Sequence, residues 1–441
     1  MAHNPRKIAA DIVYNVVKKN YTLSSGIEKC RDIKEISALD VRFVSELASG
    51  TVRKLEYIDF LIGKSSDIKI NKISPYVLSV LRTGAYQLVF MDRIPNSAAI
   101  NESVKLIKKS SNSRLTGFVN AVLRSIEKNY QCLKLPDERT KALSIKYSFP
   151  EWIVKRWCAH FGDETEALLS AMNEKPETIL RTNTLKTTPE KLLEILLSEG
   201  WECEKYKSEL FPEIDYLVSA TKIDSIIKSR AYKEGYFYVQ DAAAAFAAHV
   251  LSPKENSTVM DMCASPGGKT THLAQIMNNS GKIYAFDIYD SKIDRINENA
   301  ARLGINNIEA VKCDSSQFYP RFKEKADYIL ADVPCSGLGI IRRKPDIKYL
   351  RSESDISELS ALGLKILNNA AKYLKSGGRM LFSTCTTEKE ENENTLFEFL
   401  KTNPEFHLVQ IPCSRENGGY ISLLPHKDNC DGFFISLLEK D

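Results

Sequence analysis

The chain has 441 residues, 43% of them hydrophobic and 27% charged. That is enough apolar material for two or three packed domains, and it excludes a disordered chain. Formal net charge is +4 but uneven: residues 1–150 carry 25 Lys and Arg against 14 Asp and Glu, and the remainder carries 36 against 43. A basic N-terminal half suits either solvated helix faces or contact with a phosphate backbone. The opening "MAHNPRKIAADIV" lacks the apolar core of a signal peptide, and no apolar run approaches the ~18 residues of a membrane span. Ten scattered cysteines without a C-x-x-C pair and only six histidines argue against zinc. A soluble, cytoplasmic protein with free thiols and no metal is expected.

Residues 5–130 read as helices. Apolar residues recur at helical spacing in "IAADIVYNVV", "VRFVSELASGTV" and "YVLSVLRTGAYQLVFM". "SPY" and "IPN" place Pro beside Ser or Asn, which suits helix starts. "SNSRLTGFVNAVLRSI" opens on polar turn residues and then turns amphipathic. An all-α bundle is expected over 1–135. Residues 136–235 read as a small α+β linker: "FPEWIVKRWCAHFG" and "PEKLLEILLSEG" as helices, the second closed by Gly200, and "TILRTNT" as a strand.

Over 236–441 the pattern changes. "STVMDMC", "GKIYAFD", "NIEAVKCD", "ADYILAD" and "GRMLFSTC" are short apolar runs, with helical stretches between the first three and before the last. This alternation predicts a mostly parallel, doubly wound α/β sheet with ligands at the carboxyl ends of its strands. "HLVQIPC", "YISLLP" and "GFFISLLEK" add late strands, partly antiparallel.

The first strand runs into "MDMCASPGGKTTHL". Gly268, Lys269 and Thr270 match the end of a triphosphate-binding loop, but the first glycine of that signature falls on Cys263. A P-loop NTPase and a ligand-free turn are therefore both open readings. A third is a nucleoside cradle, in which glycines let the backbone approach the ligand. Asp287, ending the next strand, lies at the spacing at which an acid holds ribose hydroxyls. Asp314, ending the third strand, offers an oxygen to an adenine amino group. Each acid alone reads as a turn residue; the series favours the ligand.

Two cysteines, Cys335 in "ADVPCSG" and Cys385 in "FSTCTTEKEEN", follow the fourth and fifth strands. A thiolate that adds to carbon 6 of a pyrimidine makes carbon 5 nucleophilic, and an acid must then meet the charge on the ring nitrogen. Asp332 suits that role. A free thiol has a pKa of about 8.5 and needs help to ionise. Cys30, Cys132, Cys158, Cys203, Cys413 and Cys430 read as inert packing, and Cys313 as a packed strand end. Arg342, Arg343 and Lys344 form a basic run suited to RNA phosphate. Asp431 in "DGFF" reads as a substrate-orienting or a turn acid.

"MDMCASPGGKTTHL", "DVPCSG", "IRRKPDIKYLR", "STCTTEKEEN" and "DGFFISLLEK" resemble the RNA 5-methylcytosine methyltransferases of the Sun group. "LRTGAYQLVFMDRIPNSAAINESVKLIKK" and "GFVNAVLR" are similar to the NusB-type RNA-binding bundle, and "ILRTNTLK" and "YVQDAAA" to the group's linker. The resemblance covers nearly the whole chain. It implies a multi-domain protein: a NusB-like bundle, an α+β linker and a Rossmann-like class I methyltransferase domain. It also implies methylation of carbon 5 of one 16S ribosomal RNA cytosine, number 967; nothing in the sequence demands more than a monomer, and none of its apolar runs calls for a membrane. The implied cofactor is S-adenosyl-L-methionine, held by Cys263, Ala264, Ser265, Pro266, Gly267, Gly268 and Lys269 with Asp287, Asp314 and Asp332. Cys385 then corresponds to the nucleophile, and Cys335 to the cysteine of proton removal and product release. Ser265 and Val333 depart from residues common in the group; neither touches a reacting group. The alternatives are a relative acting on another RNA, such as tRNA, and a non-catalytic RNA-binding or antitermination factor.

Overall fold

In the N-terminal region some helices begin where a side chain satisfies an otherwise orphaned amide. Asn4 accepts from Lys7 N at 3.2 Å to cap Pro5–Lys19, and Ser37 accepts from Asp40 N at 3.0 Å to cap Ala38–Arg53. Every residue from Val77 to Leu88 in the helix Pro75–Phe90 is buried. A helix buried on all sides belongs in the middle of a bundle, and the helices Pro5–Lys19, Ala38–Arg53, Leu55–Ser65, Asn96–Ser110 and Ser113–Asn129 pack around it. Gly50 makes one contact possible: a Cβ there would lie 2.0 Å from the Tyr86 hydroxyl. That hydroxyl instead reaches Glu46 at 2.9 Å. The expected bundle end near Tyr130 is where the last of these helices gives way to the 3-10 turn Tyr130–Cys132.

The computed structural model describes residues 4–34, 36–110, 113–223 and 225–441. Ser111 and Asn112, expected to open the last bundle helix, lie outside the described residues. The chain divides into two units: Met1–Glu174 with Ile341–Ser352, and Lys175–Ile340 with Glu353–Asp441. Ile341–Ser352, late in the chain, thus belongs with the helical unit. The Lys348 ammonium is buried there and donates to Arg53 O at 2.9 Å and Ser148 O at 2.5 Å, with its Nζ 4.3 Å from the Phe149 ring centroid. Asp346 accepts from Leu23 N at 2.9 Å, and Arg53 donates to Arg342 O at 3.0 Å. Backbone dipoles at loop and helix ends serve as the partners of this insert.

The second unit holds two sheets. The small one comprises β1 (Thr178–Thr182), β2 (Glu202–Lys205), β3 (Leu217–Lys222) and β4 (Phe237–Val239), antiparallel in the order β2-β3-β1-β4. Leu180, Leu192, Leu196, Trp201 and Phe237 fill its core. The helix Pro189–Ser198 packs on it; its C-cap residue is Glu199, and Gly200 follows one position later with φ +81°. The offset is physical: the left-handed turn that ends a helix is made by the residue after the cap.

The large sheet comprises β5 (Thr258–Asp261), β6 (Lys282–Asp287), β7 (Ile308–Lys312), β8 (Ala326–Asp332), β9 (Leu374–Thr384), β10 (Phe406–Leu408), β11 (Tyr420–Leu423) and β12 (Phe433–Lys440). Its order is β10-β12-β9-β8-β5-β6-β7, with β11 paired to β12. β5 through β9 run parallel; β12 is antiparallel to β9, β10 and β11. This is the expected doubly wound sheet with late antiparallel strands. After β5 the chain builds outward to β6 and β7, then crosses to β8 and β9. That reversal is a topological switch point, and such points open a crevice at the carboxyl ends of the strands.

Two local expectations are corrected. Asp314 does not end β7, which stops at Lys312; it opens a turn by accepting from Ser316 N at 2.9 Å, the Asx geometry that competes with strand continuation. Of the six cysteines expected as inert packing, only Cys30 and Cys430 are buried; Cys132 is exposed, and Cys158, Cys203 and Cys413 are half-buried. Cys132 sits in a turn after the bundle and Cys203 on an edge strand, where one side has no covering layer. No helix among the described residues is long and apolar enough to cross a membrane. No group of three or more potential ligating side chains that could hold a metal occurs among them either.

Candidate active site

The loop 262–267 leaves β5 at the switch point and turns into the helix Gly268–Ile276. Gly267 adopts φ +98°, a conformation that L side chains rarely take, and its amide closes the turn onto Ala264 O at 2.7 Å. Ala264 N donates to Phe286 O at 2.9 Å, which ties the loop to β6. Beneath the loop Asp261 is fully buried. It accepts from Thr270 Oγ1 at 2.6 Å and from Cys263 N at 3.4 Å. Burial raises its pKa to about 7 against the pull of Thr270. Burial, then the surrounding acids, hold the Cys263 thiol well above its ordinary range. Ala264 is buried, Ser265 and Gly268 half-buried, and Pro266 exposed.

Arg181, on β1, is fully buried and grips the start of the same helix. It donates to Gly268 O at 2.5 Å, Thr271 Oγ1 at 2.9 Å and Gln275 Oε1 at 2.8 Å, and also to Gln240. These are neutral acceptors, so desolvation pushes its pKa down to about 9. The small sheet thereby braces the glycine turn. Nothing in "TILRTNT" distinguishes this arginine from a solvated strand residue, and only the tertiary contact identifies it.

Lys269 does not reach into open space as a phosphate-gripping lysine would. Its ammonium pairs with Asp332 Oδ2 at 2.7 Å and lies 5.0 Å from the Phe433 ring centroid. Burial pulls its pKa down, but the charge and hydrogen bond of Asp332 pull harder, and the net shift is upward. The other Asp332 oxygen accepts from Ser383 Oγ at 2.7 Å. Ser383 was not singled out in the sequence; its signal was its place two residues before Cys385 on an inward-facing strand. Asp287 ends β6 as expected, buried, accepting from Ile288 N at 2.8 Å and facing Lys292 Nζ at 3.4 Å.

Cys335 and Cys385, 50 residues apart in the chain, meet with their sulfurs 3.3 Å apart. The contact with Cys385, then burial and the charges of Glu391 and Asp332, push the Cys335 pKa well above an ordinary thiol's. Gly339 N donates to Cys385 O at 3.0 Å, and Gly432 N donates to Gly339 O at 2.9 Å. A Cβ on Gly339 would lie 2.0 Å from Gly432 O, so three loops close around Cys385 only because these two positions lack side chains. Asp431, next to Gly432, is buried, and its amide donates to Asp241 Oδ1 at 3.1 Å.

The basic run falls in the helical unit's insert. Arg342 is buried with its carbonyl taken by Arg53, Arg343 is half-buried, and Lys344 is exposed.

A parallel α/β sheet with a glycine turn and strand-end acids at its switch point, and two thiols beside a lysine–carboxylate pair, defines an enzyme of the methyltransferase class. Comparison with known proteins narrows the class. Residues 248–439 match the 16S rRNA methyltransferase RsmB/F family, residues 3–128 the NusB family, and residues 149–220 the ferredoxin-like domain of RsmF/B-like methyltransferases. A probable ribosomal RNA small subunit methyltransferase B of Bacillus subtilis (strain 168) is 33% identical over 440 residues, covering 97% of this chain and 95% of its own. The crystal structure of PH0851 superposes with TM-score 0.84 at 29% identity over 100% of both chains. NSun6 from Pyrococcus horikoshii, solved with SFG, does so with TM-score 0.59 at 26% identity, over 67% of this chain and 99% of its own. The chain belongs to the 16S rRNA methyltransferase RsmB/F family and is an RNA methyltransferase.

Proposed function

We propose that this enzyme methylates carbon 5 of a cytosine in small-subunit ribosomal RNA, the cytosine numbered 967, as a cytoplasmic monomer dependent on S-adenosyl-L-methionine. The observation that carries this reading is the thiol pair, Cys335 and Cys385, 3.3 Å apart beside the Lys269–Asp332 pair. Methylation of a nitrogen or an oxygen has no use for two such thiols.

The cofactor fits the residues present. The turn at Gly267 takes a positive φ of +98°, and Asp287 ends the adjoining strand as a buried carboxylate. We assign Cys263–Lys269, Asp287, Asp314 and Asp332 to hold it, by analogy with NSun6 solved with SFG, an S-adenosylmethionine analogue. When bound, it supplies an electrophilic methyl group on a positively charged sulfonium.

The chain's own residues do the rest. The Cys385 thiolate bonds to carbon 6 of the base, and the carbon 5–carbon 6 π pair moves toward carbon 5 and the ring nitrogen. Asp332 faces that nitrogen with Lys269 behind it; a proton from the Lys269 ammonium passes through Asp332 to the nitrogen as charge builds there, and returns by the same route when the adduct breaks down. Once carbon 5 is methylated, Cys335, having passed its own thiol proton to solvent, takes the one on carbon 5; its raised pKa makes that thiolate a stronger base. The electrons of that C–H bond re-form the double bond and Cys385 leaves as a thiolate. The target base must leave any stack to reach a pair of part-buried thiols.

We further propose three functional domains, 1–135, 136–235 and 236–441; the matched segments fall inside them. Of the basic run, Lys344 is the residue we assign to RNA phosphate, with Arg343 beside it.

Two experiments test the reading. Cys385→Ala is expected to lower methylation by about 10⁴-fold or more, while Cys335→Ala accumulates a covalent RNA adduct on a denaturing gel with labelled RNA. An adduct with Cys385→Ala and none with Cys335→Ala reverses the assignment. Bisulfite sequencing of 16S rRNA and tRNA from cells with and without the protein tests the substrate; an unchanged rRNA profile rules it out.

A further inference from the structure

The run "EKEEN" after Cys385 looks like a solvated acidic stretch, yet Glu391 and Asn392 are each only 2% exposed. Glu391 turns inward to the other thiol loop. One carboxylate oxygen accepts from Ser336 N at 2.6 Å and the other from Ser336 Oγ. Ser336 follows Cys335, and its hydroxyl also meets Thr386 Oγ1 at 2.8 Å, the residue that follows Cys385. Asn392 holds the other side. Its Oδ1 accepts from Thr384 Oγ1 at 2.5 Å and its Nδ2 donates to Thr386 O at 3.1 Å, so it brackets Cys385 from both neighbours.

Asn392 is also the N-cap residue of the helix Glu393–Thr402, but its side chain makes no capping bond. An asparagine there ordinarily accepts from a first-turn amide and stabilises the helix. Here that oxygen is committed to Thr384. A buried carboxylate that receives both donors of one serine, next to an asparagine diverted from its helix, is costly unless the spacing it sets matters.

We propose that Glu391 is a positioning residue for methyl transfer: through Ser336 and Thr386, and with Asn392, it locks the Cys335 and Cys385 loops at the spacing the reaction uses. The proposal rests on the reading that both thiols act on the base. A carboxylate suits the task because its two oxygens accept the amide and the hydroxyl of Ser336 together, a charge-assisted pair with fixed direction. Glutamine keeps the shape and one acceptor; alanine keeps neither.

The test uses the full-length protein. Glu391→Ala is expected to lower single-turnover methylation about 100-fold, the effect of roughly 1 Å of misplacement, with KM for RNA within about 2-fold of wild type. Glu391→Gln recovers part of the rate. Capture by phenylarsine oxide, which bridges two thiols held at one spacing, weakens in Glu391→Ala and returns in Glu391→Gln. In a Cys385→Ala background, Glu391→Gln also moves the pH midpoint of Cys335 alkylation downward; Asp332 still faces that thiol, so the shift reports the Glu391 charge. Ser336→Ala cuts the hydroxyl link while keeping the amide and leaves a measurable partial loss even where Glu391→Ala melts early. Wild-type methylation and arsenical capture in folded Glu391→Ala, or in folded Ser336→Ala, overturn the proposal. Persistent methylation by Cys385→Ala instead overturns the reading beneath it, whatever Glu391 does.

Discussion

Two lysines, one in each unit, sit where an ammonium is expensive to bury, and the protein treats them in opposite ways. Lys269 in the catalytic unit has a carboxylate at 2.7 Å, and its pKa stands above the ordinary lysine value. Lys348 in the helical unit has the carbonyls of Arg53 and Ser148 and the ring of Phe149. Burial, then the positive Arg53 and Lys54, push its pKa well below that value, with Glu56 pulling back. A buried ammonium with a counter-ion stays charged and is available to chemistry. One held by dipoles alone is a directional donor that pins three backbone segments together.

The comparison can be broken at its strong end first. Asp332→Asn leaves Lys269 buried opposite a neutral amide. Methylation is expected to fall by about 10²–10³-fold and stability by roughly 3–5 kcal/mol, read by single-turnover assay and denaturant melts. Equal stability would mean that Lys269 finds its charge partner elsewhere.

Asp261 sharpens the catalytic side, because it is a buried acid with hydrogen bonds but no cation in direct contact. Its folded pKa of about 7 lies above its ordinary value of 3.8. The folded state therefore binds more protons than the unfolded one between those values. Its stabilising contribution is full below pH 4 and is lost as pH rises through 7, on the order of 4 kcal/mol in all. Asp261→Asn is expected to flatten that part of the stability–pH curve; a slope unchanged by the substitution would remove Asp261 as its source.

Lys348→Met is the mildest break. Two carbonyls lose a donor, but the cost of burying an ammonium disappears with it, and a net loss of about 1–2 kcal/mol is expected. Lys348 has a lowered folded pKa, so wild-type stability rises with pH between that lowered value and the ordinary lysine pKa of about 10.4. The substitution should abolish the rise, measured by thermal melts across alkaline buffers. A loss as large as that of Asp332→Asn would erase the distinction between the two lysines.

Much of this was legible in the residue order. Helical spacing located the bundle through Asn129, and the alternation of apolar runs with helical stretches located β5 through β9, because burial of one face writes a period into a chain. Cys335 and Cys385 were readable as a pair because each follows a strand of the same parallel sheet, and such strand ends converge on one edge. Asp314 was misplaced by two residues because an Asx turn and a strand end look alike in one dimension. Arg181, Ser383, Glu391 and Asn392 escaped notice because polar residues carry no period, and their partners lie up to 94 residues away.

The sequence by itself determined the kind of enzyme: a glycine turn after an apolar strand, an acid at the end of the next strand and two cysteines just past later ones are local facts, set by short-range backbone and side-chain chemistry. Only the tertiary structure decided how those groups are tuned. Whether Lys269 faces a carboxylate or open space, whether Arg342 lies in a core or on a surface, and what holds two sulfurs 3.3 Å apart depend on distant segments brought into contact. The physical reason is that charge and hydrogen-bond energies follow distance and burial in space, which residue order does not specify.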